Sequence, residues 1–175
     1  MVVAFDADML ILLLQPSIHP PEDPETKRPV QYVRERLTRL IKDLTRQHAR
    51  VIVPAPALAE VLVVPGTDGA ELLKVIEGQA VFQIEPFRAA DAVEAAASTR
   101  AALDRGDKKS GADAPWQCVK ADRQIVAVAK RCGAKKLYSN DTGMRKVAGD
   151  LPVVSIWELP VPADEPRLPF NGRST

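Results

Sequence analysis

Little in this sequence points to thiol, imidazole or charge-driven chemistry. It has two cysteines, Cys118 and Cys132. They match no metal-ligand spacing and cannot form a disulfide framework, so both are expected reduced, one at a helix start and one buried. The 24 basic and 23 acidic residues leave a net charge of +1, which gives no global drive toward nucleic acid; such binding would need a local patch. A basic leader is missing, and the one early apolar stretch is broken by Asp6 and Asp8. That excludes a signal peptide and a membrane span and sets the expectation of a cytoplasmic protein. What is present is enough apolar material, 46% of 175 residues, for one well-filled domain and too little chain for two.

Val2-Val3-Ala4-Phe5 is an apolar run typical of a strand buried on both faces, as in the centre of a parallel sheet. It ends on Asp6, with Asp8 two residues on. A carboxylate at the carboxyl end of such a strand lies in the crevice where open α/β sheets bind ligands; a solvated strand-end Asp6 is the plain alternative. Asp8 reads as either a helix N-cap for Met9–Leu14 or a site residue. Five prolines between Gln15 and Pro29 make a long loop, with His19 a loop polar residue. Val30–Ala49 carries an amphipathic stripe, Val33, Leu37, Leu40, Ile41 and Leu44, and is read as a helix. Its Arg34, Arg36, Arg39, Lys42 and Arg46 form either a solvated face or a phosphate-facing one.

Arg50–Pro54 is the second expected strand, and Ala55–Val63 the helix after it, with Pro56 suited to an early helical position. Glu60 falls on that helix among apolar residues, where a carboxylate needs a cation or a metal as partner. Pro65–Gly69 is a turn and Ala70–Glu77 a short helix. A third strand spans Ala80–Pro86. Ala89–Leu103 is alanine-rich and helical, with Asp91 near its positive end. The polar Asp104–Pro115 stretch reads as a mobile surface segment. Val119–Cys132 is a helix with Asp122 in its first turn, ended by Gly133. Lys136–Ser139 is a strand with Asn140-Asp141 at its carboxyl end, Met144–Ala148 a short helix, and Val153–Ile156 a last strand. The prolines after Trp157 imply an extended tail, which sets domain limits at 1–156 and 157–175.

The alternation of strands and helices predicts a single three-layer α/β/α domain with a mostly parallel sheet. In that topology Asp6, Glu60, Asp122 and Asp141 all fall at one sheet edge. Four carboxylates close together repel, and divalent cations relieve that repulsion. Mg²⁺ and Mn²⁺ take oxygen ligands, and Mg²⁺ keeps waters that leave room for a phosphate. No His or Cys stands at these points, which argues against zinc and thiol nucleophiles. A pair of such ions about 4 Å apart suits phosphodiester hydrolysis.

These stretches, with the order of elements between them, resemble the PIN domain, a fold found in ribonucleases that include toxins of bacterial toxin–antitoxin pairs. The resemblance is carried by Val2-Val3-Ala4-Phe5-Asp6, Ala57-Leu58-Ala59-Glu60-Val61, Ala121-Asp122-Arg123-Gln124-Ile125-Val126-Ala127-Val128-Ala129 and Leu137-Tyr138-Ser139-Asn140-Asp141. It implies that Asp6, Glu60, Asp122 and Asp141 coordinate Mg²⁺ or Mn²⁺ and that Ser139 supports them by hydrogen bonding. Asp8 would lie behind the ligands or act as a cap. The resemblance further implies an RNA substrate, an antitoxin partner, a homodimer and no membrane association. The Gln15–Pro29 insert is longer than the family pattern, and Asp107 and Asp113 are rivals to Asp122, which is preferred for its spacing to Ile125 and Ala129. Two other functions compete with a metal-dependent endoribonuclease. A non-catalytic module binding RNA or protein would have no need of four acids. A phosphotransfer receiver would place an Asp where strand Ala80–Pro86 offers only Glu85.

Overall fold

Strand β1 (Val2–Phe5) forms because its apolar, partly β-branched residues can be buried on both faces, and Val3, Ala4 and Phe5 have no exposed surface. In the computed structural model, which describes residues 1–15, 18–64 and 69–161, everything else is arranged about this strand. Helix α1 (Ala7–Leu14) starts at once, capped by Asp6, whose carboxylate accepts the Met9 N–H at 3.0 Å. The cap is therefore Asp6 and not Asp8, which sits exposed in the first turn. Residues 18–29 of the proline-rich stretch form a loop as expected, with Glu22 and Pro29 joined by an antiparallel bridge, while Pro16 and Ser17 lie outside the described residues.

Helix α2 (Val33–Arg46) begins three residues later than its stripe suggested, because Tyr32 adopts a left-handed backbone with φ of 57°. Strand β2 (Arg50–Pro54) and helix α3 (Ala55–Leu62) follow without a break, then α4 (Gly69–Glu77), β3 (Phe82–Glu85) and α5 (Ala89–Asp104). The expected turn at Pro65–Gly69 falls, up to Asp68, outside the described residues. Helix α6 (Trp116–Arg131) leads to β4 (Leu137–Tyr138), α7 (Thr142–Val147), β5 (Val153–Val154) and a 3₁₀ turn, Ile156–Glu158. Because α6 opens at Trp116, Asp122 lies in its second turn rather than its first.

The strand order is β3-β2-β1-β4-β5 and every neighbouring pair is parallel. The sheet is thus wholly parallel within a three-layer α/β/α fold. Chain order reverses between β1 and β4, which makes their carboxyl ends a topological switch point of the kind that opens a ligand crevice. Asp6 ends β1 and Asp141 follows β4, one on each side of it. Phe5 packs edge-on against Phe82 and Tyr138, with ring centroids 6.0 and 5.3 Å apart, adding about 0.5–1.5 kcal/mol each beyond buried area.

One buried ion pair ties helices to sheet. Asp91 is fully buried near the start of α5; it accepts the Arg88 N–H at 2.7 Å and Arg131 Nε at 2.6 Å. Arg131 also reaches Glu85 at 3.2 Å, so the end of α6 is fastened to β3 and α5 together. The 104–115 segment is mostly exposed, as expected of a surface segment, but it is pinned to the domain where Ala112 is buried and where Arg123 donates to Lys108 O and Ser110 Oγ. Trp157 to Leu159, the first residues of the expected tail, pack on the domain, where Arg36 donates to the carbonyls of Ile156, Trp157 and Leu159. Residues 162–175 lie outside the described residues.

Candidate metal-binding acidic cleft

Each acid arrives by a local rule. Asp6 and Asp141 are both N-caps, of α1 and α7; Asp141 accepts the Gly143 N–H at 2.6 Å. Capping fixes both side chains at the switch point, each with one oxygen accepting a backbone N–H at the start of its helix. Ser139 is wholly buried between them. Its Oγ accepts the Asp141 N–H at 3.0 Å while its hydroxyl supports the Asp6 carboxylate, and its own carbonyl accepts Ser155 Oγ–H at 2.6 Å. Glu60 comes from the second turn of α3, half-buried, and Asp122 from α6, only 6% exposed. Helix α3 packs on both α1 and α6, which draws these two acids toward the other pair.

Electrostatics shows which acids share the cleft. Burial pushes the Asp6 carboxyl well above the ordinary range, and the charges of Asp8 and Asp141 push it further, against hydrogen bonds from Ser139 and Met9. Asp8 is raised by surrounding protein and by Asp141. Glu60 is raised by burial and then by Asp8 and Asp141. Asp122 is pushed up to about 7, by burial first and then by Asp141, Glu60 and Asp8, with Arg123 opposing weakly. Five carboxylates therefore feel one another, and no lysine or arginine forms an ion pair with any of them among the described residues. The rivals are elsewhere: Asp107 is exposed and bound to the N–H groups of Lys109 and Gly111, and Asp113 is exposed.

The donor set suits a hard cation. It is all oxygen, and the Asp122 Oδ2 is buried with no hydrogen-bond partner among the described residues, a costly state for a carboxylate unless something positive meets it. Among the described residues no three His, Cys, Asp or Glu side chains converge tightly enough to enclose one ion.

Three of the five cations on the basic face of α2 are engaged within the protein. Asp43 pairs with Arg46 at 2.8 Å and with Arg39 at 3.8 Å, and Arg36 is spent on the 3₁₀ turn. One buried cation was missed altogether in the sequence pattern: Arg123, 2% exposed on α6. The signal was there, since it falls four residues after buried Val119 and three before buried Val126, on the apolar stripe itself. Cys118 is exposed at the start of α6 and Cys132 only partly buried.

The fold and the acidic switch point together define an α/β protein of the class that binds ligands at the carboxyl edge of a parallel sheet. The family model described as PIN domain matches residues 31–150, and the chain belongs to that family. Among solved structures it is similar to VapBC2 from Rickettsia felis, determined bound to a DNA fragment from the VapBC2 promoter, with a TM-score of 0.60 and 11% identity over 89% of this chain and 98% of the other. It is also similar to VapBC-1 from nontypeable Haemophilus influenzae, with a TM-score of 0.53 and 14% identity over the same shares. At such identities the likeness is one of fold. No curated protein sequence matches. No helix among the described residues is long and apolar enough to cross a membrane.

Proposed function

We propose that this protein is an endoribonuclease that hydrolyses phosphodiester bonds with Mg²⁺ or Mn²⁺ held by Asp6, Glu60, Asp122 and Asp141. One observation carries the reading: the buried Asp122 Oδ2, without a hydrogen-bond partner among the described residues, stands in a field of like charge from Asp141, Glu60 and Asp8 that Arg123 offsets only in part. A bound divalent cation would supply Lewis-acid activation of water and neutralisation of charge on the scissile phosphodiester. The side chains supply the rest. Asp6 and Asp141 are held rigid by their caps, Ser139 sets the spacing between them, and Glu60 is half-open to incoming substrate. Asp8, at the exposed rim, can hold a proton near the reacting water.

A toxin role with an antitoxin partner is supported by likeness of fold to the VapBC proteins, and a homodimer by the family resemblance. Whether a small DNA-binding-type gene abuts this one tests the first, and the solution mass of the purified chain tests the second.

The nuclease reading is tested with purified protein on a pool of structured RNAs, with Mg²⁺ or Mn²⁺. Asp6→Asn and Asp122→Asn are expected to lose at least about a hundredfold in rate with unchanged far-UV circular dichroism. If either variant cuts at the parent rate, the ligand assignment is wrong. If the parent cuts nothing with either metal, the non-catalytic RNA- or protein-binding module takes its place.

A further inference from the structure

On a face of α6 turned away from Asp122 by about a quarter turn of the helix lies a cavity of about 250 Å³ lined by residues of α5, α6 and α7. Its lining includes Arg105, Arg123, Lys130 and Lys146 against one acid, Glu94. Two of the four cations are engaged: Lys130 pairs with Asp150 at 2.7 Å, and Lys146 donates to the Gly111 carbonyl. The two guanidinium groups form no ion pair with any described residue.

Arg123 is the anomaly. It is as buried as any residue of the core, yet its hydrogen-bond partners are all neutral: Thr99 Oγ1 at 3.3 Å, Lys108 O at 2.8 Å and Ser110 Oγ at 3.1 Å. The Trp116 ring lies 5.4 Å from its guanidinium carbon, and the same ring receives Lys108. Its Nε–H is buried with no partner among the described residues. The acids that act on it at longer range are Asp107, already bound to two backbone N–H groups, and Asp122, which faces the cleft. Arg131, one helical stripe away, shows the ordinary solution, with Asp91 and Glu85 both on its guanidinium. A buried cation without a counter-charge is expensive, and a guanidinium that keeps an unpartnered Nε–H among the described residues and a full charge has capacity for a phosphate oxygen. Arg105, exposed at the end of α5 and lining the same cavity, supplies a second charge.

We propose that the groove between α5, α6 and α7 binds a phosphate group, with Arg123 as its buried donor and Arg105 as its outer clamp. Successive residues of a helix point about 100° apart, so Asp122 and Arg123 serve different faces of α6. The proposal does not rest on the nuclease reading. The phosphate belongs either to a nucleic-acid strand or to a free mononucleotide or inorganic phosphate.

The test is calorimetric titration of the full chain in chelator, which keeps divalent cations from the acidic cleft. The titrants are inorganic phosphate, AMP and a single-stranded 2′-O-methyl RNA. The parent is expected to bind inorganic phosphate saturably at one site in the millimolar range. Arg105→Gln should weaken it about tenfold, the loss of one charge-assisted hydrogen bond. Arg123→Lys should do the same by keeping charge but removing Nε. Arg100→Gln, which removes an exposed charge that pairs with Asp104 outside the cavity, should change nothing. If the source is a strand, RNA binding falls by the same factor and phosphate competes with it. If the source is a free nucleotide, AMP binds more tightly than phosphate and RNA binding ignores both variants. Should Arg123→Lys fail to fold, Arg105→Gln decides alone. Absence of saturable phosphate binding by the parent, or equal binding by parent and Arg105→Gln, overturns the proposal.

Discussion

Replacing Asp122 by Asn should stabilise the metal-free protein, although Asp122 is a buried polar residue in the middle of a helix. In the folded chain its carboxyl is pushed from 3.8 up to about 7 by burial and by Asp141, Glu60 and Asp8. Above pH 7 the side chain is ionised in both folded and unfolded states, and the fold carries the full cost of that charge. As pH falls from 7 toward 3.8 the folded state takes up the proton first, so stability rises on acidification; this is the sign opposite to that of a salt-bridged Asp. At 1.36 kcal/mol per pH unit the cost comes to about 4 kcal/mol, and solvent at the open side of the cleft screens it to about 2 kcal/mol. Asn keeps the shape, carries no charge, and offers its N–H₂ to carboxylates that surround it, so no donor is stranded.

Melting followed by circular dichroism in chelator at pH 8 should therefore place Asp122→Asn about 4–8 °C above the parent, for a domain of this size. At pH 5 the gap should shrink to less than about half, because the parent is by then largely protonated at this position when folded. Saturating Mg²⁺ or Mn²⁺ should reverse the order. The parent gains RT ln(1 + [L]/Kd), about 2.7 kcal/mol at a hundredfold excess, and the variant gains little. An Asp122→Asn protein that melts below the parent at pH 8 in chelator would refute the reasoning, since it would mean that the carboxylate has a favourable partner.

Two further outcomes test how the cleft is built. A Cβ on Gly143 would lie 3.0 Å from Asp141 Oδ1 and 3.5 Å from Oδ2, so Gly143→Ala should displace that carboxylate and reduce the Mg²⁺-induced rise in melting temperature severalfold; an unchanged rise would remove Asp141 from the metal site. Arg131→Met should cost about 3–5 kcal/mol in urea denaturation, because it leaves Asp91 fully buried without its cation and Glu85 with only the longer Arg88 contact at 3.7 Å; a loss below about 1 kcal/mol would show that Arg131 is not what fastens α5 and α6 to β3.

Two of the proposed cleft acids stand out from sequence alone because they sit where a buried strand ends. Asp6 directly follows Phe5, and Asp141 comes after Tyr138 with only Ser139 and Asn140 between, at points where an uninterrupted core strand would carry no charge. The sheet order then gives them a common place, since β1 and β4 are neighbours at the point where chain order reverses. Helix starts were less legible. Trp116 and Gln117 follow a polar segment and resemble its continuation, so α6 is one turn longer than its apolar stripe suggests and Asp122 moves inward by that turn. Likewise Asp8 has the residue type of a cap, but the cap belongs to Asp6, because the helix begins directly after the strand and leaves no residues for a turn.

Arginine positions were the least legible, because arginine reads as solvent-facing by default and local sequence gives no sign of a distant partner. Arg36, Arg123 and Arg131 look alike in the sequence: long cations on amphipathic helices. In the fold they do three different things. Arg36 closes the domain by holding three carbonyls of the 3₁₀ turn, and Arg131 neutralises two buried acids from β3 and α5. Arg123 is buried among neutral acceptors and keeps a free Nε–H beside a cavity. The first two are satisfied by the protein itself, so their replacement should read out as stability alone. The third has donor capacity that no described residue uses. A buried donor left over in this way has one of two explanations, ordered water or an anionic ligand, and only the ligand makes Arg105 matter. That is why titration of Arg105→Gln, an exposed residue with no part in the core, separates them more cleanly than any change to Arg123.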